Sequence, residues 1–305
     1  MDTSFEHALV VVNPKAGKTN IRNGLFKILN VIASHGCIST VRITQAHGDA
    51  VSFVEDLQDR YDVVICCGGD GTLNEVITGM MSSGRKIPIG YIPCGSTNDT
   101  ANTLGIPRNI EAAAELIFRG KASDFDIGSF NGEKFFSYIT SFGAFTKVSY
   151  ATPQSAKNAI GHMAYILEGA KSLGSIKPYH VKFEFGETTV EDDFLFGAIS
   201  NSTSAGGVLK FPANAVDLND GLFELLLIKN PKNPVELSNT VIALGTKTFD
   251  NPNILLYHTN KIRVTADSVL EWTVDGEFGG EHDRIEVENL KGAVQIIRPA
   301  RQLFE

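Results

Sequence analysis

Residues 63–75 read Val63-Val64-Ile65-Cys66-Cys67-Gly68-Gly69-Asp70-Gly71-Thr72-Leu73-Asn74-Glu75. The apolar run reads as a buried strand, the glycines as a turn, and Leu73 to Met81 as the helix that follows. Glycines let backbone N–H groups approach an anion without Cβ obstruction, and a helix N-terminus adds favourable partial charge, so the unit reads as a phosphate site. Asp70 lies inside it. A carboxylate and a phosphate repel, so their sharing one loop implies a bridging cation or a reacting centre. A plainer reading stays open, because Thr72-x-x-Glu75 ahead of Val76 and Ile77 fits a helix capping box. A cap alone, however, needs neither three glycines nor Asp70.

Around that stretch, residues 1–127 alternate short β-branched runs with helical patterns. Ala8 to Val12, Thr40 to Thr44, Asp62 to Cys67 and Ile87 to Ile92 read as strands. Asn23 to His35, Asp49 to Asp59, Leu73 to Met81 and Ile110 to Arg119 read as helices. This order predicts an α/β domain with a parallel sheet and ligands at the carboxyl ends of its strands. Each strand end carries a polar or glycine-rich turn: Asn13-Pro14-Lys15-Ala16-Gly17, Thr44, the Gly68 to Thr72 turn, and Pro93 to Asp99. Four turns on one sheet edge favour a nucleotide site. The first turn is not a P-loop, since Val12 stands where the leading glycine belongs and Pro14 removes an amide donor.

After Asp126-Ile127-Gly128 the pattern changes to short apolar or alternating runs: Lys134 to Thr140, His180 to Phe185, Phe194 to Ser200, Leu222 to Ile228, Lys261 to Ala266, Leu270 to Val274 and Ala293 to Ile297. Helical spacing appears at Asn158 to Leu173 and Pro234 to Thr246. Residues 128–297 are therefore expected to form a β-rich antiparallel sandwich or barrel, with the C-terminal residues, about 298–305, packing back on the first domain.

The net charge of -8 speaks against a general nucleic-acid partner. Cys37, Cys66, Cys67 and Cys94 show no Cys-x-x-Cys spacing, and three lie in or beside strand-like runs, so they read as reduced core residues of a cytoplasmic protein. The seven histidines are scattered without a zinc spacing. The start of the chain is too polar for a signal peptide, and no run approaches the roughly 18 apolar residues of a membrane span.

In order along the chain, Val12-Asn13-Pro14-x-x-Gly17, Gly68 to Glu75, Pro93-x-Gly95-Ser96-Thr97-Asn98-Asp99 and Val274-Asp275-Gly276-Glu277 resemble the diacylglycerol kinase catalytic family, in its soluble bacterial lipid-kinase branch. Ser149 to Pro153, Asn201-Ser202 and Asp220 to Phe223 extend the resemblance essentially end to end. It implies ATP and a lipid hydroxyl meeting between an α/β domain and a β-rich one. Asn13, Pro14, Lys15, Ala16, Gly17, Thr44, Gly68, Gly69, Asp70, Gly71, Thr72, Glu75 and Ser96 are implied to bind ATP. Asp70 and Asp99 are implied to manage Mg²⁺ and the phosphates, and Glu277 corresponds to the family's general base, with Asp275 two positions before it. Read without the family, Val274 to Glu277 is a hairpin turn.

Asp217, Asp220 and Leu222 match a segment that holds a structural Mg²⁺ in bacterial relatives; here Asn219 replaces a second aspartate and lowers the charge offered. Thr100 stands where the family has Phe or Leu, a change expected to bear on substrate entry. Lys147, Lys157, Lys171, Lys177 and Lys182 face a single acid, Glu168, across their stretch, which suits peripheral docking on an anionic membrane. The expectation is an ATP- and Mg²⁺-dependent kinase of diacylglycerol, at the inner face of the membrane and compatible with a homodimer. Another acceptor, such as phosphatidylglycerol or a sphingoid base, is the nearest alternative, and a non-catalytic nucleotide- or lipid-binding protein the next. NAD kinase accounts for neither the Asn13-Pro14 turn nor Glu277.

Overall fold

A computed structural model describes residues 4–17, 21–57, 59–96, 98–143, 177–201, 204–205, 209–210, 218–246 and 250–300. The apolar runs of the first part form β1 (His7–Val12), β2 (Ile38–Ile43), β3 (Val63–Gly68) and β4 (Pro88–Pro93). The segments among and after them form α1 (Ile21–Ser34), α2 (Asp49–Glu55), α3 (Asp70–Ser83), α4 (Asp99–Leu104) and α5 (Ile110–Arg119). Then come β5 (Lys121–Phe130), β6 (Lys134–Phe136), β7 (Ile139–Gly143), β8 (Tyr179–Phe185), β9 (Thr188–Ser200), β10 (Ser204–Ala205), β11 (Leu209–Lys210) and β12 (Phe223–Lys229). The chain continues through α6 (Pro234–Thr246), β13 (Ile254–Thr259), β14 (Lys261–Val274) and β15 (Glu277–Arg298). Two compact units result, one built from the described residues of Met1–Asp126 and Gly292–Glu305, the other from those of Ile127–Lys291.

In the first unit β1 pairs parallel with β2 and β3, and β3 pairs parallel with β4. The end of β15 adds a further parallel neighbour, setting Gln295 and Ile296 beside Pro88 and Ile89. All six residues of β3 are buried, which explains why its sequence is a continuous apolar run rather than an alternating one. Helix α2 packs on α3, and α1 on α5. The chain returns to this unit at Gly292, earlier than residue 298, because β15 carries on past the second unit without a break. Buried Asp126 accepts the Gly292 N–H at 2.7 Å, so the point where the chain leaves the unit is tied to the point where it re-enters.

In the second unit, two long strands, β9 and β14, are bridged twice. At one end β7 pairs antiparallel with both, and at the other β8 does the same, so the two short strands lie end to end between the long ones in one barrel-like antiparallel sheet. Its interior is aromatic: Phe142 lies against Trp272 with ring centroids 5.0 Å apart, and Phe183 meets Phe194 edge-on at 5.4 Å. Strand β12 serves two cores. Leu225 and Leu227 face the aromatic interior, while Leu226 and Ile228 pack with Leu237 and Leu244 of α6, which accounts for an apolar run without alternation.

Several expected elements differ. The single strand expected over Lys134 to Thr140 is two, β6 and β7, because the amides of Ser137 and Tyr138 are drawn to the Asp275 carboxylate. Lys261 to Ala266 and Leu270 to Val274 belong to one strand, β14, with a register shift between Thr265 and Leu270. Strands β5 and β13 and helix α4 were not anticipated, and the expected helix at Asn158 to Leu173 lies outside the described residues.

Replacing fully buried Phe183 by alanine is expected to lower stability by about 3–5 kcal/mol, read from the midpoint of urea unfolding. Phe26→Ala, at a position 71% exposed on α1, is expected to stay within about 0.5 kcal/mol of the parent.

Candidate functional site

The turns after β1, β3 and β4 are interlocked. Asn13 donates its backbone N–H to the Cys67 carbonyl at 2.9 Å, and Cys94 donates to the Gly68 carbonyl at 2.7 Å. The Asn13 side chain donates to the Thr72 hydroxyl at 2.9 Å and accepts the Lys15 N–H at 2.9 Å, which fixes the turn carrying Pro14 and Ala16. Gly17 has φ +57, and a Cβ there would lie 2.3 Å from the Cys94 carbonyl oxygen, so both backbone and space demand glycine. A Cβ on Gly69 would reach within 3.2 Å of the Gly95 Cα. Glycine against glycine is what lets the Gly68 to Thr72 turn and the Gly95–Ser96 turn share so small a region.

Neighbouring groups tighten the arrangement. Buried Thr44 donates its N–H to the Val12 carbonyl at 2.9 Å, and Lys15 Nζ reaches the Gln45 carbonyl at 3.5 Å. Asn98, buried and at φ 52, donates to the Gly95 carbonyl at 2.8 Å and accepts from the Tyr91 hydroxyl at 3.4 Å. Burial first, and Asp70 second, push the Tyr91 hydroxyl far above its ordinary pKa, so it stays a donor.

The capping-box reading does not hold. Helix α3 begins at Asp70 behind an extended Gly69 with no side-chain cap, which makes Thr72 a first-turn residue whose hydroxyl receives Asn13. Glu75 instead accepts the Ala50 N–H of α2 at 3.2 Å and pairs with His47 at 2.9 Å. It binds two helices together.

Asp70 and Asp99 open successive helices, α3 and α4. One Asp70 oxygen accepts the Asp99 N–H and the other the Thr100 N–H, both at 3.1 Å, so the carboxylate caps a helix that follows a different strand. The Asp99 carboxyl is pushed up to about 6, by burial first and by the charge of Asp70 second, with Arg108 opposing. Thr100 is buried, with its Oγ1 unpartnered among the described residues, so its side chain packs inside rather than lining an entrance.

Within the second unit, Val274-Asp275-Gly276-Glu277 is a two-residue hairpin, φ +48 at Asp275 and +84 at Gly276, joining β14 to β15. Asp275 turns its carboxylate away from that tip. One oxygen accepts the Ser137 N–H and hydroxyl at 2.9 and 3.2 Å, the other the N–H groups of Tyr138 and Ile139 at 3.0 and 2.9 Å. Glu277 is exposed. Lys134 donates to the Gly279 carbonyl at 2.9 Å and the Phe278 carbonyl at 3.5 Å, a contact no local sequence signal announces.

The expected structural-metal turn is described from Leu218 on, and Asp217 lies outside the described residues. Asp220 accepts the Leu222 N–H at 2.8 Å, and the Leu222 carbonyl accepts from Asn289 at 3.2 Å, so both of these expected donors hold protein N–H groups. Among the described residues no group of three or more His, Cys, Asp or Glu is poised for a metal, although Mg²⁺ held partly by phosphates requires none. Lys147, Lys157 and Lys171 lie outside the described residues, and Lys182 is paired with Glu184 at 3.0 Å. All four cysteines are free and buried; burial pushes Cys37 up to about 11 and Cys94 to about 12, which leaves them thiols.

The Asp99 shift has a definite sign. The folded protein keeps this proton up to about pH 6 and the unfolded chain only to about pH 4, so stability falls as pH rises through that window. Carboxyl NMR in Mg²⁺-free buffer is expected to give an Asp99 midpoint near 6. Asp70→Asn is expected to lower it without restoring the ordinary value, since burial is the larger cause, and Asp99→Asn to flatten the fall in stability.

These features have counterparts in known proteins. A sequence profile for the diacylglycerol kinase catalytic domain matches residues 7–130. A diacylglycerol kinase of Bacillus subtilis (strain 168) is 30% identical over 297 residues, spanning 97% of both chains. One from Staphylococcus saprophyticus is 30% identical with 96% of each chain covered. A crystal structure of a diacylglycerol kinase from Bacillus anthracis str. Sterne superposes with a TM-score of 0.76 at 25% identity, over 97% of this chain and 98% of that one. A second solved chain of that organism, assigned to the same enzymes, reaches 0.83 at 26% identity with 98% of both covered. With likeness of that extent over both units, the chain belongs to the diacylglycerol kinase family.

Proposed function

We propose that the chain transfers the γ-phosphoryl group of ATP, with Mg²⁺, to the hydroxyl of diacylglycerol, giving phosphatidic acid. The observation that carries the acceptor is the end-to-end likeness to the Bacillus subtilis diacylglycerol kinase, over 97% of both chains. Membership of a kinase family implies ATP as the donor.

The interlocked turns support that donor. Their glycines leave room for backbone amides rather than side chains, and the N-terminus of α3 is free of a side-chain cap. Asn13 to Gly17, Thr44, Gly68 to Thr72 and Ser96 bind the nucleotide in this reading. Glu75, tied to Ala50 and His47, holds the wall behind it. Asp70 and Asp99 fit Mg²⁺ by their chemistry: hard oxygen donors, two carboxylates side by side, one of them keeping its proton to about pH 6 because it is buried and faces the charge of the other. Held between them, Mg²⁺ would offset the charge of both carboxylates and of the phosphates.

Glu277 accepts the proton of the lipid hydroxyl as its oxygen bonds to the γ-phosphorus and the bond to the β–γ bridging oxygen breaks, releasing ADP. An alcohol is far too weak an acid to ionise beforehand, so an exposed carboxylate at a hairpin tip suits the step. Phe278, next in the chain and 56% exposed, offers an apolar surface to the lipid beside it. No described helix is long and apolar enough to cross a membrane, and in this reading the enzyme meets its lipid at the bilayer surface.

Transfer of labelled γ-phosphate in mixed micelles, comparing diacylglycerol, phosphatidylglycerol and sphingosine with and without Mg²⁺, tests the reading. Labelling of diacylglycerol that depends on Mg²⁺ is expected, and labelling of another lipid alone would replace the acceptor. Glu277→Gln is expected to cut turnover by about 10²- to 10⁴-fold while ATP affinity stays within about twofold.

A further inference from the structure

The tip of the β14–β15 hairpin stands in solvent on an irregular ladder. Gly276, Glu277 and Phe278 are exposed, and the ladder is irregular directly behind them: Val274 pairs with Glu277 and Thr273 with Phe278, but Trp272 pairs with Gly280. Gly279 is thus the extra residue of a bulge. Bulges bend a strand and interrupt its hydrogen bonding, so an isolated hairpin of this kind would let the Glu277 backbone swing.

Two ties from one neighbouring segment oppose that swing. On the near side of Glu277, the Asp275 carboxylate gathers the N–H groups of Ser137, Tyr138 and Ile139, and the Asp275 N–H returns to the Ile139 carbonyl at 2.8 Å. On the far side, the Lys134 ammonium holds the carbonyls of Phe278 and Gly279, the latter being the bulge residue itself. The segment supplying both ties is fixed in turn. β6 pairs with β5, placing Lys134 opposite Phe130, and β7 pairs with β14 and β9. A cation and an anion pulling across the same gap, one on each side of a single residue, fix that residue's backbone better than either alone.

We propose that Lys134 is a positioning residue for Glu277: by holding the bulge carbonyls, its ammonium sets the angle at which the hairpin presents the general base. The proposal rests on the role given to Glu277 above. Positioning of a reacting group multiplies rate steeply, and a displacement of about 1 Å can cost roughly a hundredfold.

Lys134→Met in the full chain is expected to lower kcat by at least about tenfold while KM for ATP and for lipid stays within about twofold. The melting temperature should be unchanged, because the side chain is exposed. Lys134→Arg, which can still donate to two carbonyls, is expected to restore most of kcat. A kcat for Lys134→Met equal to the parent, alongside an inactive Glu277→Gln, would overturn the positioning role and leave the kinase reading standing. Amide hydrogen exchange across residues 277–280 decides the matter independently of activity. Exchange about tenfold faster in Lys134→Met and in the shorter Lys134→Gln is expected, and unchanged exchange in both would overturn the tie even if the parent proved to phosphorylate no lipid.

Discussion

Asp70 and Asp99 are two carboxylates brought together where water does little to screen them. Unrelieved, such a pair would push its two helices apart. Relief comes first from the backbone: the N–H groups of Asp99 and Thr100 point at the Asp70 oxygens, so the start of α4 neutralises part of the charge that repels Asp99. Burial first and Asp70 second still raise the Asp99 carboxyl to about 6, against the opposing charge of Arg108. The loop geometry of the first unit follows from keeping these groups together without letting them collapse on each other.

The glycines answer the same requirement from the steric side. A Cβ on Gly17 would lie 2.3 Å from the Cys94 carbonyl oxygen and one on Gly95 2.7 Å from the Gly69 Cα, distances no side chain tolerates, so at these points the turns after β1, β3 and β4 meet through backbone. Phosphate recognition, in the function proposed above, and close packing ask for the same residue here. That double use explains why the glycine string is longer than a tight strand-to-helix turn needs. Asn13, bonded to Thr72 of another turn, and Asn98, bonded to Gly95 within its own, supply the directional contacts that glycine cannot.

The second unit solves a different problem, that of holding one exposed side chain steady at the end of a bulged hairpin. Its interior is packed by the contacts of Phe142, Phe183, Phe194 and Trp272, and polar ties from a neighbouring segment reach the tip. Asp275 shows how a motif residue can serve geometry. Its oxygens are occupied by Ser137, Tyr138 and Ile139, and the same bonds interrupt what would otherwise be a continuous strand from Lys134 to Thr140.

Local chemistry was enough for β3 and its glycine turn, for α5 and α6, and for the hairpin at Asp275-Gly276, because each depends on residues adjacent in sequence: apolar runs, helical spacing, a turn dipeptide. Helix α4 was invisible for the opposite reason. Six residues without an apolar stripe do not nucleate a helix alone, and this one begins on a carboxylate from 29 positions earlier. Strand β15 was read only at its end, since Gly279, Gly280 and Gly292 resemble breaks until neighbouring strands on either side carry the ladder through them. The raised Asp99 carboxyl, the employment of Asp275 and the tie from Lys134 likewise depend on groups distant in the chain. Residue type and spacing set which chemistry this protein carries, whereas burial and long-range hydrogen bonds assigned its carboxylates their separate tasks.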